Sequence, residues 1–243
     1  MRSAIAILLL LCAPAARAAD TVAVMLTGDG GWRRIDREVT RPFAAAGVAV
    51  VPFDTAAYYR TPRTPEESAA ALAEIIRGAQ RRWQARNVVL IGYSRGADVL
   101  PFMINRLPPE LRREVRLIAL LGLEPSIAFQ YDPPWTFAYW FRHRRQFAVL
   151  PEVEKLQGAM CFYGAKERDS LCPLLDPSRF TIVREPGGHH FGGRYKEIGE
   201  AILRALDLHP NAATPGRKGD RDPVSIEGPA AKAGPHCLTS GAC

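Results

Sequence analysis

The stretch from Asn87 to Asp98, N-V-V-L-I-G-Y-S-R-G-A-D, constrains the fold of this chain more than any other. Val88, Val89, Leu90 and Ile91 form a short β-branched-rich run, the pattern of a strand buried on both faces. Gly92-Tyr93-Ser94-Arg95-Gly96 follows, and apolar residues then recur at helical spacing through Val99, Leu100, Met103, Ile104 and Leu107. Strand, G-x-S-x-G and helix in that order predict a tight turn with a strained serine at its apex. The two glycines remove Cβ atoms that would clash there. Ser94 would stand above the sheet at a helix start, where the dipole favours a developing anion. A Gly-rich turn carrying an inert serine has the same letters, so the rest of the chain must decide.

Taken in order, the chain alternates short apolar runs with amphipathic ones. Strands are expected at 21–27, 47–53, 88–91, 115–121, 159–163 and 180–183. Helices are expected at about 35–46, 64–83, 97–107 and 195–206. Gly47 suits the position after a helix end. Thr64, Pro65 and Glu67 form an N-cap, a first-turn proline and a capping box. Pro108-Pro109 breaks the pattern after the third helix. Such alternation predicts an α/β fold with a mainly parallel sheet, whose ligands bind at the carboxyl ends of the strands.

The two ends of the sequence stand apart from that pattern. Arg2, the apolar run Ile5–Leu11 and Ala16-Arg17-Ala18 compose a secretory leader over residues 1–19, too short to span a bilayer. A lipidated Cys12 is the weaker alternative, because Leu11 is bulky for the position before such a cysteine. From residue 210 to 243, Pro, Gly, Ala and Lys without periodicity predict a disordered tail. The domain therefore occupies 20–209. Export leaves Cys161, Cys172, Cys237 and Cys243, and an even number favours disulfides. Local pairings, Cys161 with Cys172 and Cys237 with Cys243, are the simplest. The net charge of +7 includes Arg2 and Arg17, so removal of the leader leaves 7 − 2 = +5. That suits contact with an anionic membrane surface. The arginines are scattered: Arg81, Arg82 and Arg86 end one helix, while Arg112, Arg113 and Arg116 surround a loop. No nucleic-acid module, zinc-ligand spacing or second long apolar run is present in the sequence.

A serine hydroxyl needs a base, and the base needs an orienting acid. Two further polar loops supply them in the order Ser, acid, His. Gly164-Ala165-Lys166-Glu167-Arg168-Asp169-Ser170 follows the fifth strand, and Pro186-Gly187-Gly188-His189-His190-Phe191 follows the sixth. This is the chain order of α/β-hydrolases. Asp169 is the preferred acid, four residues before Pro173, with Glu167 as the alternative. His190 is preferred as base, with His189 lining the site or taking that role itself. His143, His209 and His236 fall outside the constellation. The oxyanion hole would use the N–H of Arg95 and that of Asp29 or Gly30, from the loop after the first strand. No metal or organic cofactor is required. Residues 123–157 form an excursion rich in aromatics (Phe129, Tyr131, Trp135, Phe137, Tyr139, Trp140, Phe141, Phe147) with Arg142, Arg144 and Arg145 interleaved. An aromatic cap with a basic edge suits an apolar substrate with an anionic head. Trp32, Glu124 and Trp135 are the candidate substrate contacts, Glu124 for an ammonium.

Gly28-Asp29-Gly30-Gly31-Trp32, Gly92-Tyr93-Ser94-Arg95-Gly96-Ala97-Asp98-Val99-Leu100-Pro101-Phe102, Asp169-Ser170-Leu171-Cys172-Pro173 and Pro186-Gly187-Gly188-His189-His190-Phe191 together resemble the VirJ/AcvB family. These are exported bacterial virulence-associated proteins of α/β-hydrolase type. The resemblance covers Thr21 to about Leu208. It implies a periplasmic location, a triad of Ser94, Asp169 and one of the two histidines, and hydrolysis of aminoacylated phosphatidylglycerol such as the lysyl ester. It also implies a partner-binding role with type IV secretion proteins, which stands as one alternative; the other keeps the triad and assigns a different ester or thioester. AcvB-type members carry an additional N-terminal domain; this chain matches the shorter VirJ form.

Overall fold

The computed structural model describes residues 20–137 and 144–208. The leader with Cys12, residues 138–143 with Tyr139, Trp140, Phe141, Arg142 and His143, and the tail with His209, His236, Cys237 and Cys243 lie outside the described residues. Six parallel strands form one sheet in the order β2-β1-β3-β4-β7-β8. They are β1 (Thr21–Leu26), β2 (Ala49–Phe53), β3 (Asn87–Tyr93), β4 (Val115–Leu121), β7 (Met160–Gly164) and β8 (Thr181–Glu185). The short strands β5 (Ser126–Ile127) and β6 (Phe147–Ala148) pair antiparallel outside it. The expected six-stranded parallel architecture is present.

Alternate residues of the central strands feed two cores. Val22, Val24, Leu26, Val88 and Leu90 pack beneath α3 (Pro65–Trp83) and α4 (Arg95–Asn105). Ala23, Met25, Val89 and Ile91 face α1 (Arg34–Ala45) and α7 (Tyr195–Leu208), through Val39, Phe43, Ile198 and Ile202. Strands buried on both faces read as continuous apolar runs because helices cover each side. The α3 start follows its local signals. Thr64 Oγ1 accepts the Glu67 N–H at 3.1 Å, and Glu67 Oε2 accepts the Thr64 N–H at 2.8 Å. Gly47 follows α1 at φ +78°, a conformation that favours glycine.

Two short helices, α2 (Thr55–Tyr58) and α5 (Pro109–Glu114), interrupt regions read as loop. Pro109 begins α5 rather than ending α4, because a first-turn proline has no N–H that the helix would use. Arg112 and Arg113 therefore belong to a helix, not a loop. The excursion also differs from a detached aromatic lid. Phe129 is buried against the rings of Tyr59, Phe102 and Phe147, all edge-on at 5.2–5.8 Å. These contacts and α6 (Leu150–Val153) pack the start and end of the excursion into the body. Trp135 and Phe137 stand out, 80% and 76% exposed.

Candidate active site

The chain moves outward from β1 to β2, then crosses back to β3 on the other side of β1. Crevices open at such reversals, outside the carboxyl ends of the strands. The loop Gly28–Gly31 leaves β1 there, and Ser94 leaves β3 beside it. Ser94 adopts φ +52° and ψ −123°, a strained conformation for a residue with a side chain. Both flanking glycines are obligatory. A Cβ on Gly92 would lie 2.5 Å from the Gly96 carbonyl oxygen, and one on Gly96 would lie 2.3 Å from that of Leu26. The Ser94 N–H donates to the Leu121 carbonyl at 2.8 Å, tying the turn to the end of β4.

The next residue, Gly122, lies against His189. Its φ is +68°, and a Cβ there would come within 2.7 Å of His189 Cε1. His189 thus stacks on backbone that is joined to Ser94. Its Nδ1 is 2.6 Å from Glu167 Oε1. The other Glu167 oxygen accepts the Gly164 N–H at 2.5 Å. A turn in which the Glu167 N–H donates to the Gly164 carbonyl folds this side chain back over the strand end. The Ala165 and Lys166 N–H groups bind the Glu185 and Gly187 carbonyls at 2.7 Å, locking the acid loop to the His loop.

The structure therefore pairs Glu167 with His189, where spacing favoured Asp169 with His190. Asp169 lies two residues beyond the turn and is exposed. His190 is exposed too, and its Nδ1 hydrogen-bonds the Tyr93 hydroxyl at 3.0 Å. The short turn after β7 brings the nearer carboxylate, not the farther one, over the strand end. The disulfide Cys161–Cys172 joins β7 to the far end of the acid loop, with Cα atoms 5.5 Å apart.

Charge around His189 is negative. The hydrogen bond its Nδ1–H donates to Glu167 holds the imidazole above the ordinary range against the opposing effect of burial, and the Glu124 and Asp29 carboxylates push it the same way. Asp98, fully buried on α4, is pushed well above the carboxylate range by desolvation, while its Oδ1 accepts the Glu124 N–H at 2.8 Å. Arg95 pairs through Nε and Nη2 with both oxygens of Asp29, and its Nη1 donates to the Ala128 carbonyl at 2.8 Å. Its guanidinium also lies 5.1 Å from the centre of the Tyr131 ring. One side chain thus clamps the β1 loop, the elbow and the start of the excursion.

The bacterial virulence protein VirJ family model matches residues 20–209. The chain belongs to this family. No curated protein matches it. Among solved structures, Est1E from Butyrivibrio proteoclasticus superimposes with a TM-score of 0.56 at 12% identity, over 78% of this chain and 88% of that one. An esterase, EaEST, from Exiguobacterium antarcticum gives 0.54 at 13% identity, over 77% and 92%. A putative α/β-superfamily hydrolase from Xanthomonas campestris pv. campestris gives 0.53 at 13%, over 77% and 98%. The fold is that of the α/β-hydrolases.

Of the sequence-derived site residues, the structure gathers Ser94, His189, Glu167, Arg95, Asp29 and Gly30 at one end of the sheet. Glu124 joins them at the end of β4, exposed. Trp32 packs against the α1 side of the sheet next to the Gly28–Gly31 turn. Trp135 lies exposed on the excursion, and nothing ties it to Ser94. Sequence reasoning missed the side chains of Arg95, Tyr93 and Asp98, and the role of Gly122. Asp98 had a signal, a carboxylate in an otherwise apolar helix; Gly122 had none, because only the tertiary contact with His189 requires it.

Proposed function

We propose that this protein is a serine hydrolase that cleaves a carboxylic ester through an acyl-enzyme on Ser94. The observations that carry this reading are the strained Ser94, whose N–H is tied to Leu121 at the end of β4, and the His189–Glu167 pair, which packs on the next residue, Gly122. His189 takes the Ser94 hydroxyl proton as Oγ attacks the ester carbonyl, while Glu167 fixes the imidazole tautomer through Nδ1. The N–H of Arg95 and that of Asp29 or Gly30 hold the oxyanion. His189 returns the proton to the departing alcohol, and water, activated by the same base, releases the acid.

Carboxylates at Asp29 and Glu124 act on His189, and the same negative field favours an acyl group carrying an ammonium. Together with the family, this supports an aminoacyl ester of phosphatidylglycerol, such as the lysyl ester, as substrate. The leader sequence and the Cys161–Cys172 bridge support a periplasmic location. Among the described residues no helix is long and apolar enough to cross a membrane, which suits access to the lipid from its surface.

The test is reaction with a fluorophosphonate probe, read by intact mass in the wild type and in Ser94→Ala. One adduct, lost in the variant, is expected, followed by release of lysine from lysyl-phosphatidylglycerol vesicles. No adduct on folded protein, with detergent present to open the site mouth, would overturn the esterase and favour a secretion-associated assembly factor.

A further inference from the structure

At the opposite end of the sheet, the strands part. β4 begins at Val115, but its pairing with β7 begins only at Ala119 with Met160. The edge of β4 from Val115 to Ile118 therefore faces a gap rather than a neighbouring strand, and alternate main-chain N–H and C=O groups point into it. That gap is the floor of a cleft of about 1100 Å³, within the size range of small-molecule sites. Val115, Ile118, Leu156 and Met160 give it an apolar base. Its walls carry Arg112, Arg113, Arg116, Lys155, Arg179 and Arg204, and among the described residues no Asp or Glu lines it.

The six cations are not equally free. Arg116 donates to Asn87 Oδ1 at 2.8 Å, and Lys155 pairs with Glu152 at 2.8 Å. Arg179 is used on the Glu154 and Leu156 carbonyls. Arg112, Arg113 and Arg204 are exposed, with no ion-pair partner among the described residues. They come from α5 and α7, elements 92 positions apart in sequence (Arg112 to Arg204), yet they border one cavity. Holding like charges around a hollow raises the local positive potential. Arginine forks suit the oxygens of a phosphate, and the apolar floor suits an acyl chain.

We propose that this cleft is a second binding site, for a single phosphate-headed amphiphile, its acyl chain along the β4 edge and its phosphate on Arg112, Arg113 and Arg204. It lies one strand length, about 20 Å, from the Ser94 end, so it stands independently of the hydrolase reading. The probe is 1-lauroyl-lysophosphatidylglycerol below its micelle concentration, titrated calorimetrically into a Ser94→Ala background that cannot consume it. One-to-one binding is expected. R112Q/R113Q/R204Q should weaken it at least tenfold with an unchanged melting profile, whereas R112K/R113K/R204K, which keeps the charges and loses the guanidinium forks, should weaken it less than the glutamine variant does. Lauroyl-lysophosphatidylcholine and glycerol 1-phosphate should each bind at least tenfold more weakly than the probe. Unchanged affinity in the glutamine variant would overturn the site. Equal affinity for the zwitterionic lipid, or for the head group alone, would overturn its assignment to an anionic amphiphile.

Discussion

The two ends of this sheet solve different problems with the same strands. At the carboxyl end the turns are crowded: a Cβ on Gly92, Gly96, Gly122 or Gly164 would fall within 2.7 Å of a neighbouring atom. The polar groups there are committed, with Glu167 on His189 and Gly164, and Arg95 on Asp29 and Ala128. At the amino end the sheet opens, and three arginines around a hollow have no ion-pair partner among the described residues. Glu167, Glu124 and Asp29 act on His189 at the first end, whereas Arg112, Arg113 and Arg204 border the hollow at the second. Preorganised chemistry demands close packing, whereas capture of a large anion demands only volume and charge.

The largest break in this contrast should come from the base. His189→Ala should slow fluorophosphonate labelling by about a thousandfold or more, while His190→Ala, which removes only a partner of Tyr93, should cost less than about tenfold. Gly122→Ala is the next test. Its methyl group would displace the imidazole, so labelling should fall about 10- to 100-fold without unfolding the protein. Neither variant should alter binding at the arginine cleft.

The pH dependence sharpens the electrostatic half of the comparison. His189 must be neutral to act as base, and its neighbours hold its pKa above the usual imidazole value of about 6.5. The labelling rate should therefore rise with pH through an inflection above that value. Glu167→Gln should move the inflection down. For stability the sign is opposite: the raised pKa contributes fully below about 6.5 and is lost as pH rises through the folded value. Urea unfolding at pH 6 and 9, with and without Glu167→Gln, reads that difference.

Reduction of Cys161–Cys172 should release the acid loop. The bridge closes a short loop, sequence separation 11, so its loss should destabilise the protein by about 2–3 kcal/mol. A lower melting temperature and slower labelling are expected. The smallest effect is predicted for R112Q/R113Q/R204Q on labelling, less than about twofold, because those charges lie at the other end.

The carboxyl end was legible in sequence because its requirements are local. Gly92-Tyr93-Ser94-Arg95-Gly96 states its own turn, and the alternation of apolar runs places it after a central strand. What sequence could not resolve was choice between neighbours. Glu167 and Asp169 are two residues apart and His189 and His190 adjacent, and only the Gly164–Glu167 turn and the packing on Gly122 bring one of each, Glu167 and His189, together. The amino end was illegible for another reason. Arg112, Arg113 and Arg204 carry no motif, and their convergence depends on where α5 and α7 dock and on where β4 loses its partner strand.

The most direct test of the central claim sets the two carboxylates against each other. Labelling rates of Ser94 would be measured for Glu167→Gln and Asp169→Asn at one pH above the inflection, with thermal melts to show that both are folded. The His189–Glu167 pairing predicts a loss of about 100-fold or more for Glu167→Gln and a change within about twofold for Asp169→Asn. The reverse pattern would contradict it and return the acid to Asp169.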